Sequence, residues 1–532
     1  MNTRNRPERM QNRVQTAPVA MAMTSVPVTH ALVTTWPQRP SFCPPGSHVD
    51  ARGECVPDTA ATGAHPLEMV VQNQKLAEYE RTVRARFAAI VPVLKRISAL
   101  QHEEDFVARG QAIAREEFGF ELPGQVLDDA WVSGLDMKQL YGESVLSTFN
   151  RLADGLPMPL ELDAEEARRT LQFFIECGFH EVDFSPCADG RLKGLLQYIL
   201  RLPQVAVRRV QSYAGAMFDV ESNVRHWVDT ELRRYREGVP TLSDAGTRYL
   251  KVAVYHYSSS DPAHEGCAAH GSNELGAAEA ALGKLKAFRT AIENQFCCGA
   301  SVATLLIGVD TDTDSIKVHI PDAHGEMSLY RLVDNARLYE ETAGMKADQA
   351  RNHLLAAIDK AAAAGGWAQG NGAPEAGMRR LIARLLENNC SQIAYVRQEH
   401  GGRYRDIGHQ ERLICVGEGF DTLQLRNLTY LAQLYTVEEG ANDLDVGIRI
   451  FTGLNIRHGL PVPIVIHYRY DADVPGARAR AVERCRRIHE AIRSRYSRLA
   501  EQGMIACGLT VQAKKAGSPL EKVDIIEAVA GH

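Results

Sequence analysis

The sequence predicts an α/β fold: a mostly parallel sheet with flanking helices, duplicated as an intact and a degenerate copy, preceded by a helical domain and a disordered tail. Strand-like and helical segments alternate from HEVDFSP onward, which is typical of parallel sheets. Two segments of the last third resemble two of the middle third, which indicates an internal duplication. The 532 residues, 45% of them hydrophobic, are enough for roughly three domains with sizeable cores.

The first segment, residues 1–65, predicts a disordered tail. It lacks periodicity and is rich in Pro, Thr, Ala and Ser, as in TAPVAMAMTSVPVTH. No apolar segment follows its first arginines, which predicts that the protein is not secreted. The beginning of the tail has one acid, Glu8, and four arginines: Arg4, Arg6, Arg9 and Arg13. A disordered basic segment of this kind can become ordered on an acidic partner surface.

Three folded domains are predicted after the tail. Residues 66–155 carry apolar side chains at helical spacing, as in EMVVQNQKLAEYERTVRARFAAIVPVLKRISALQ, and predict a helical domain. The next segment, LPMPLELD, has two prolines and predicts a linker. Residues 156–385 are assigned to the intact α/β copy, and residues 386–532 to the degenerate one.

The middle domain contains the clearest strand and helix patterns. Strands are predicted at HEVDFSP, at RYLKVAVYHY and on both sides of the acidic turn in SVATLLIGVDTDTDSIKVHIP. Helices are predicted at LKGLLQYILRL and SNELGAAEAALGKLKAFRTAIENQF. The acidic turn, DTDTD (310–314), has Ser315 and Pro321 where an EF-hand calcium loop needs glycine and glutamate. We therefore predict a solvated turn there.

The duplication is predicted from two matches at nearly the same offset. FSPCADGR (184–191) can be placed above VRQEHGGR (396–403), an offset of 212. VAVYHY (252–257) can be placed above IVIHYR (464–469) with one residue gapped, an offset of 211 for the shared His-Tyr pair. Repetition at one offset indicates two copies of one structural unit.

The composition argues against several classes of protein. The formal net charge of -6 argues against a nucleic-acid partner, because phosphate binding needs a basic surface. No apolar stretch approaches the ~20 residues that span a bilayer, so no membrane insertion is predicted. Eleven cysteines, an odd number in a long chain, favour an intracellular protein with free thiols and a metal site over a disulfide framework.

Three side chains with zinc-binding chemistry lie at predicted strand ends. Cys187 follows one strand, His256 closes the next, and Cys267 lies in the loop beyond it. The carboxyl ends of parallel strands meet at one edge of the sheet, where sites form. Two thiolates and one imidazole are zinc ligands, and three protein ligands leave a fourth position open for water.

Asp189 and Arg191 indicate how that fourth position would stay open. A carboxylate two residues from a ligand can occupy it, and a bidentate arginine would hold the carboxylate away. Asp189 could then accept a hydrogen bond from water and orient it. The residues alone leave a plainer interpretation open: a buried cysteine, a surface salt bridge and a strand-end histidine with an ordinary partner.

A family resemblance favours the metal site. Cys187-Ala-Asp189-Gly-Arg191 resembles the Cys-x-Asp-x-Arg motif of β-class carbonic anhydrases. Ten residues separate His256 from Cys267, and this spacing resembles that of the carboxysome shell carbonic anhydrases of α-carboxysomes. The segments HYSSSDPAHEGCAAHGSN, GHQERLICVGEGF and LRNLTYLAQLYTVEEGAND resemble the same family.

The resemblance implies a β-carbonic-anhydrase-like fold and a lyase that reversibly hydrates carbon dioxide to bicarbonate. It places the protein in the carboxysome of the bacterial cytoplasm, where the reaction supplies carbon dioxide to Rubisco. It implies one Zn²⁺ per chain on Cys187, His256 and Cys267, with Asp189 and Arg191 as the catalytic pair. It also implies a homo-oligomer, a dimer or larger, contacts with the carboxysome shell, and Rubisco binding through the N-terminal tail.

The resemblance further implies that the second copy binds no catalytic zinc. In the alignment above, Glu399 and Gly401 replace the first thiol and the acid. Arg478 lies near the position of the second thiol, and His467 alone is retained.

Three histidines are candidate proton relays, because histidine titrates near neutral pH. His264 and His270 flank the second cysteine, and His409 lies at the domain boundary; ordinary loop or polar contacts are the alternative for each. The alternative function for the whole chain is a zinc-stabilised linker that tethers carboxysome shell and cargo. The open fourth position and the Asp–Arg pair favour the enzyme, because a structural zinc site needs neither.

Overall fold

The computed structural model describes most of the chain after residue 63, together with two short strands before it. The described residues are 47–49, 55–57, 64–156, 159–160, 164–207, 209–238, 247–296, 302–363, 374–404, 411–418, 426, 428–432, 437–515 and 518–524. Most of the predicted tail, with its four arginines, lies outside these ranges. Across the described ranges, none of the helices has the length and apolar character that a bilayer crossing requires.

The N-terminal part is mainly helical, as predicted. Before it, within the segment predicted to be a disordered tail, two three-residue strands pair antiparallel: β1 (Ser47–Val49) and β2 (Cys55–Pro57). The helices that follow bury their apolar faces in one core. They are α1 (Val70–Ser98), α2 (Phe106–Glu117), α3 (Gly124–Asp128), α4 (Ala130–Ser133) and α5 (Met137–Gly155).

The middle part contains a six-stranded sheet. Its order is β4-β3-β5-β6-β7-β8; β4, β3, β5 and β6 run parallel, and β7 and β8 are antiparallel additions at one edge. The elements are α6 (Ala164–Glu176), β3 (Phe179–Pro186), β4 (Arg209–Val210), α7 (Val220–Arg236), β5 (Arg248–Tyr257), α8 (Glu274–Phe296), β6 (Val302–Asp310), β7 (Ile316–His319) and β8 (Leu332–Asp334).

The predicted helix LKGLLQYILRL is only partly helical. A 3₁₀ turn (Gly190–Leu192) and a short π-helix (Leu195–Ile199) replace a regular α-helix. Gly194 separates them with φ 81°, a left-handed conformation that glycine adopts without steric cost. The apolar run therefore folds as a tight, mostly buried connection rather than as a regular α-helix.

Three helices follow the first sheet and complete the main core: α9 (Asn335–Thr342), α10 (Ala347–Ala363) and α11 (Ala376–His400). Helix α11 is buried along most of its length and packs against α10 and α1. The boundary that we placed between residues 385 and 386 falls within this helix.

The C-terminal part contains a second sheet that repeats the first. Its order is β10-β9-β11-β12-β13, parallel except for β13, so the three central strands match β3, β5 and β6 in order and direction. The predicted α/β class and its duplication are confirmed. The elements are β9 (Leu413–Gly417), β10 (Thr429–Ala432), α12 (Val437–Leu454), β11 (Val462–Tyr470), α13 (Ala477–Arg495), α14 (Ser497–Glu501), β12 (Ile505–Ala513) and β13 (Glu521–Val523).

One of the two sequence matches was wrong. VAVYHY and IVIHYR lie on β5 and β11, which occupy the same place in their sheets. VRQEHGGR, in contrast, is the end of helix α11, which closes at Gly401 in the left-handed conformation. The strand that corresponds to β3 is β9, so Glu418, the first residue after β9, lies at the matching sheet edge rather than Glu399.

The two α/β halves are joined through the loop that follows β3. Ala188 is buried in the apolar core of the C-terminal half, with Ile414, Val416 and Phe451 among its members. The residues on either side of Ala188 belong to the predicted metal site and its acid. The C-terminal half therefore packs directly on the segment that carries this chemistry.

Candidate metal centre

The three predicted ligands converge at the carboxyl edge of the first sheet. Cys187 directly follows β3, and its N–H donates to the carbonyl of Val254 on β5 at 3.0 Å. His256 is the penultimate residue of β5. Cys267 precedes the 3₁₀ turn Ala268–His270, at the end of the loop that follows β5. Two neighbouring strand ends and one loop thus bring together residues that are 80 positions apart.

The geometry of these side chains fits a bound metal ion. One ligand atom from each lies within 4.8 Å of the others, and all three residues are buried. The two sulfurs are 4.0 Å apart, whereas two thiolates on a tetrahedral zinc at ~2.3 Å are separated by about 3.8 Å. Nδ1 of His256 is buried without a hydrogen-bond partner among the described residues. An imidazole nitrogen and two thiols in this arrangement are a zinc-type donor set.

The two thiols differ in acidity. The hydrogen bond between the sulfurs lowers the pKa of Cys267; burial opposes this, and the N–H groups of Ala269 and His270 add to it. The same sulfur–sulfur hydrogen bond, together with burial, raises the pKa of Cys187 well above its usual value. Metal binding to thiols requires their deprotonation, so a divalent cation would displace protons from this pair.

Asp189 and Arg191 form a buried, bidentate pair beside the ligands. Nε and Nη2 of Arg191 donate to the two carboxylate oxygens of Asp189, each at 2.8 Å. The backbone N–H of Arg191 donates to the same carboxylate at 2.9 Å. Burial alone would raise the pKa of Asp189, but the charges of Arg191 and His256 hold it well below its usual range. The carboxylate is thus ionised and accepts from Arg191 through both oxygens, with Oδ2 3.5 Å from Nε2 of His256.

Arg191 also holds the loop that carries Cys267, which the sequence did not reveal. Its Nη1 donates to the carbonyl of Glu265 at 2.6 Å, and Nη2 lies 3.4 Å from the carbonyl of Gly266. A Cβ on Gly266 would lie 2.7 Å from the carbonyl oxygen of Ser272, so the loop is tightly folded at this point. One guanidinium therefore restrains the acid and positions the approach to the second thiol.

The acidic turn at residues 310–314 was predicted to be solvated, but it is buried. Its first aspartate, Asp310, accepts hydrogen bonds from the N–H and hydroxyl of Ser259, at 3.1 and 2.7 Å. Asp312 accepts from Ser258 Oγ at 3.0 Å and from the N–H of Ser260 at 2.6 Å. These serines follow His256, so the turn fixes the strand end that bears a ligand. The sequence did carry a signal for these hydrogen bonds: the donor-rich segment SSS and the acceptor-rich segment DTDTD follow adjacent strands.

The candidate proton relays have different surroundings. The side chain of His264 is 81% exposed, and its Nδ1 lies 2.9 Å from Asp261. Nε2 of His270 lies 3.3 Å from the carbonyl of Gly215. His409 lies outside the described residues. A relay role for any of the three stays a prediction.

The matching edge of the second sheet lacks this donor set. His467 is retained, and its Nδ1 lies 3.0 Å from the hydroxyl of Thr510. Residues 471–476 connect β11 to α13, a much shorter loop than residues 258–273 of the first half. Arg478 lies on α13 and pairs with Glu521 at 2.7 Å. Within the described part of the chain, the three side chains of the first half form the one such cluster of ligand atoms.

Three family models match consecutive parts of the chain, and all describe carboxysome shell carbonic anhydrase. The N-terminal model matches residues 65–156, the catalytic-domain model residues 169–409 and the C-terminal model residues 410–526. The candidate metal centre lies entirely within the part that matches the catalytic domain.

Curated relatives agree with these matches. The carboxysome shell carbonic anhydrase of Halothiobacillus neapolitanus is 50% identical over 481 residues, covering 90% of this chain and 94% of that protein. The proteins of the same name from Prochlorococcus marinus and Parasynechococcus marenigrum are 48% and 49% identical, each over 86% of this chain and over 90% and 78% of their own. The chain therefore belongs to the carboxysome shell carbonic anhydrase family and is a carbonic anhydrase of the carboxysome.

Proposed function

We propose that the chain binds one Zn²⁺ through Cys187, His256 and Cys267 and hydrates carbon dioxide reversibly to bicarbonate. In this proposal Asp189 and Arg191 are the catalytic pair. The observation that carries it is the convergence of two buried thiols and an imidazole beside a carboxylate that arginine holds by both oxygens. A purely structural zinc site would need a fourth ligand and no such pair.

The chain's own residues have distinct tasks in this reaction. In carbonic anhydrases, the general case of this chemistry, zinc acidifies a water molecule, and two thiolate ligands would weaken that effect by lowering the net charge of the site. Arg191 holds both oxygens of Asp189 and thereby keeps the carboxylate off the open position. Asp189, held ionised, accepts a hydrogen bond from the reacting water and orients it. Activity is therefore expected to rise with pH on the alkaline side of neutrality.

Zinc content and hydration activity, measured on the same purified protein, test the proposal. We expect one zinc per chain and stopped-flow hydration of carbon dioxide that rises between about pH 6 and about pH 9. Cys187→Ser and Cys267→Ser should lose zinc and activity together, because each removes a thiolate ligand. Cys485→Ser is the matched control: this buried thiol lies in the second half, where its Sγ is 3.6 Å from the carbonyl of Thr510.

Other outcomes would separate the alternatives. Full zinc occupancy in both ligand variants would contradict the assignment of ligands. A wild-type protein that binds zinc but does not hydrate carbon dioxide would favour the zinc-stabilised linker between shell and cargo.

We further propose that the enzyme supplies carbon dioxide to Rubisco inside the carboxysome and works as a homo-oligomer, a dimer or larger, in contact with the shell. Rubisco binding is assigned to the N-terminal tail, on the charge of its arginines. Three relatives carry the words carboxysome shell in their names, which supports the shell contact. Sedimentation analysis of the purified protein tests the oligomer, and a single-chain mass would contradict it.

A further inference from the structure

We propose that Arg426, from the C-terminal half, is a positioning residue for the Asp189–Arg191 pair and acts through the turn at residues 310–315. The inference rests on the proposed function, in which Arg191 restrains Asp189. It gives the degenerate half a direct part in the chemistry of the intact half. The steps from Arg426 to Arg191 are each a contact between buried groups.

Arg426 is inserted completely into the intact half. Its side chain is fully buried, and its Nε donates to Oδ1 of Asp314 at 2.8 Å. Its Nη2 donates to the carbonyl of Thr311. The ring of Tyr404 covers the guanidinium, with Cζ 3.7 Å from the ring centre. A buried arginine with these contacts fixes both ends of the turn at once.

The turn depends on this support. Asp314 has no exposed side-chain surface, and its backbone lies in the left-handed region with φ 55°, a conformation that non-glycine residues adopt at a cost. Nε2 of Gln392 donates to its second oxygen at 2.8 Å, and Asn389 donates to its carbonyl at 2.8 Å. Of these partners, Arg426 supplies the positive charge. Without Arg426, a buried carboxylate in a strained turn would lose its counter-charge.

The same turn also contacts the catalytic pair. Oγ1 of Thr311 lies 3.4 Å from Nη1 of Arg191, from which it accepts, and donates to the carbonyl of Tyr257 at 3.0 Å. The N–H of Thr311 also donates to Tyr257, at 2.8 Å. Thr311 therefore connects Arg191 to the residue that follows His256. A shift of the turn moves the guanidinium that holds Asp189.

The test compares Arg426→Met with Arg495→Met. Arg495 forms a bidentate pair with Asp445 in the same half, at 3.0 and 2.6 Å, but outside the interface with the turn. Thr311→Val keeps the shape of the side chain and removes only its hydroxyl, so it tests the inference if Arg426→Met does not fold. Each variant is measured for zinc content, for the pH profile of hydration and for hydrogen–deuterium exchange of the turn amides.

Arg426→Met should keep one zinc per chain and lose activity about tenfold at neutral pH, the loss expected for one hydrogen bond to a charged group. Activity should recover at alkaline pH, because a higher hydroxide concentration would compete with the released Asp189 carboxylate for the open fourth position of the site. Thr311→Val should shift the profile in the same direction by about threefold, and the double variant should be no worse than Arg426→Met, since both act on one contact chain. Arg426→Lys, which keeps the charge near Asp314, should restore part of the activity.

Exchange separates this inference from the proposed function. The amide of Thr311 should exchange faster in Arg426→Met and not in Arg495→Met, whatever the activity. Equal losses at every pH, or unchanged exchange at the turn, would overturn the positioning role. A wild-type protein without zinc or hydration activity would overturn the proposed function, and this inference with it.

Discussion

The two sheets share a strand order and differ at their carboxyl edges. In both, a short parallel strand and three central parallel strands are followed by antiparallel additions, two in the first sheet and one in the second. His256 lies on β5, one residue before its end, and His467 lies on the corresponding strand β11, three residues before its end. In the first half the long loop after that strand returns Cys267 to the edge, whereas the short loop of the second half leads directly into α13.

This difference shows which parts of the unit carry the fold and which carry the chemistry. Central strands of both halves, β6 and β9 among them, are buried and mainly apolar, so packing alone favours them. The donor set depends on residues outside the strands, so a shorter loop and a changed strand end suffice to remove it. We therefore expect the retained His467 to bind no catalytic metal, since it belongs to no ligand cluster among the described residues.

The largest expected effect is the difference in zinc content and activity between replacing His256 and replacing His467. His256→Ala should lose zinc and at least a hundredfold in activity, about the contribution of one essential group. His467→Ala should keep one zinc per chain, because its imidazole contacts Thr510 and belongs to no ligand cluster among the described residues. Metal analysis and stopped-flow hydration of both variants check this. Equal zinc loss in the two variants would break the comparison.

The next largest difference in activity is expected between variants of the acids at the two strand ends, Asp189 and Glu418. Asp189→Asn should keep zinc and lose activity about 100- to 1,000-fold, because a neutral amide orients water poorly. Glu418→Gln, at the matching edge, should stay within about twofold of wild type, since Glu418 is exposed and belongs to the half without the donor set. Full hydration activity in Asp189→Asn would refute its role.

Stability should also depend unequally on the two sheets. Asp183 on β3 and Lys251 on β5 form a completely buried ion pair at 2.7 Å, which Tyr249 joins through its hydroxyl. Asp183→Asn should destabilise the protein by about 3–5 kcal/mol, because it leaves a buried ammonium without its partner. The exposed pair of the second half is the control, and Asp445→Asn should cost at most about 1 kcal/mol. Urea unfolding of both variants measures the difference.

The same ion pair sets a pH dependence. Burial would raise the pKa of Asp183, but Lys251 and Arg209 hold it below its usual value. Its folded pKa is thus depressed, so its stabilisation is complete above the unfolded value of about 3.9 and is lost as pH falls below it. The gap between wild type and Asp183→Asn should shrink below about pH 4. A gap that widens there would contradict this assignment.

The smallest effect on catalysis is expected from the tail, which lies outside both halves. Deleting residues 1–60 should leave zinc content and hydration unchanged, because it removes none of the proposed zinc ligands and neither member of the Asp189–Arg191 pair. The deletion should abolish Rubisco co-purification at low ionic strength. Binding by the full chain should weaken with salt, since exposed charges are screened over ~10 Å at ~0.1 M. Undiminished Rubisco binding by the truncated enzyme would place the contact elsewhere.

Local chemistry explains what the sequence could predict. Cys187 and His256 were identifiable because each is a metal-ligand type at the end of a clear strand, and Cys267 because it lies in the loop that follows the second of these strands. The wrong match at VRQEHGGR arose because a few identities near one offset do not distinguish a strand end from the last turn of a helix. The periodic apolar pattern upstream, in LIARLLENN, was the signal that this segment is helical.

The features that the sequence could not predict are contacts between segments that are distant along the chain. The carbonyls of Glu265 and Gly266 that Arg191 holds have no side-chain signature, because any residue supplies a carbonyl. The burial of Arg426 depends on how two halves pack, and an arginine in a sequence is ordinarily a surface residue. Such contacts become visible only in the folded structure, where residues more than 100 positions apart touch each other.

The place of Ala188 in the core of the C-terminal half has a consequence for the order in which the enzyme matures. The ribosome adds this alanine to the nascent chain long before it adds Val511, the last buried member of that core. At roughly 5–20 residues per second, more than about 15 s separates the two. During that interval the loop between the first thiol and the acid lacks its packing partner. A nascent chain that already contains every catalytic residue is therefore still an incomplete enzyme, and it acquires activity only when synthesis of the whole polypeptide is nearly finished.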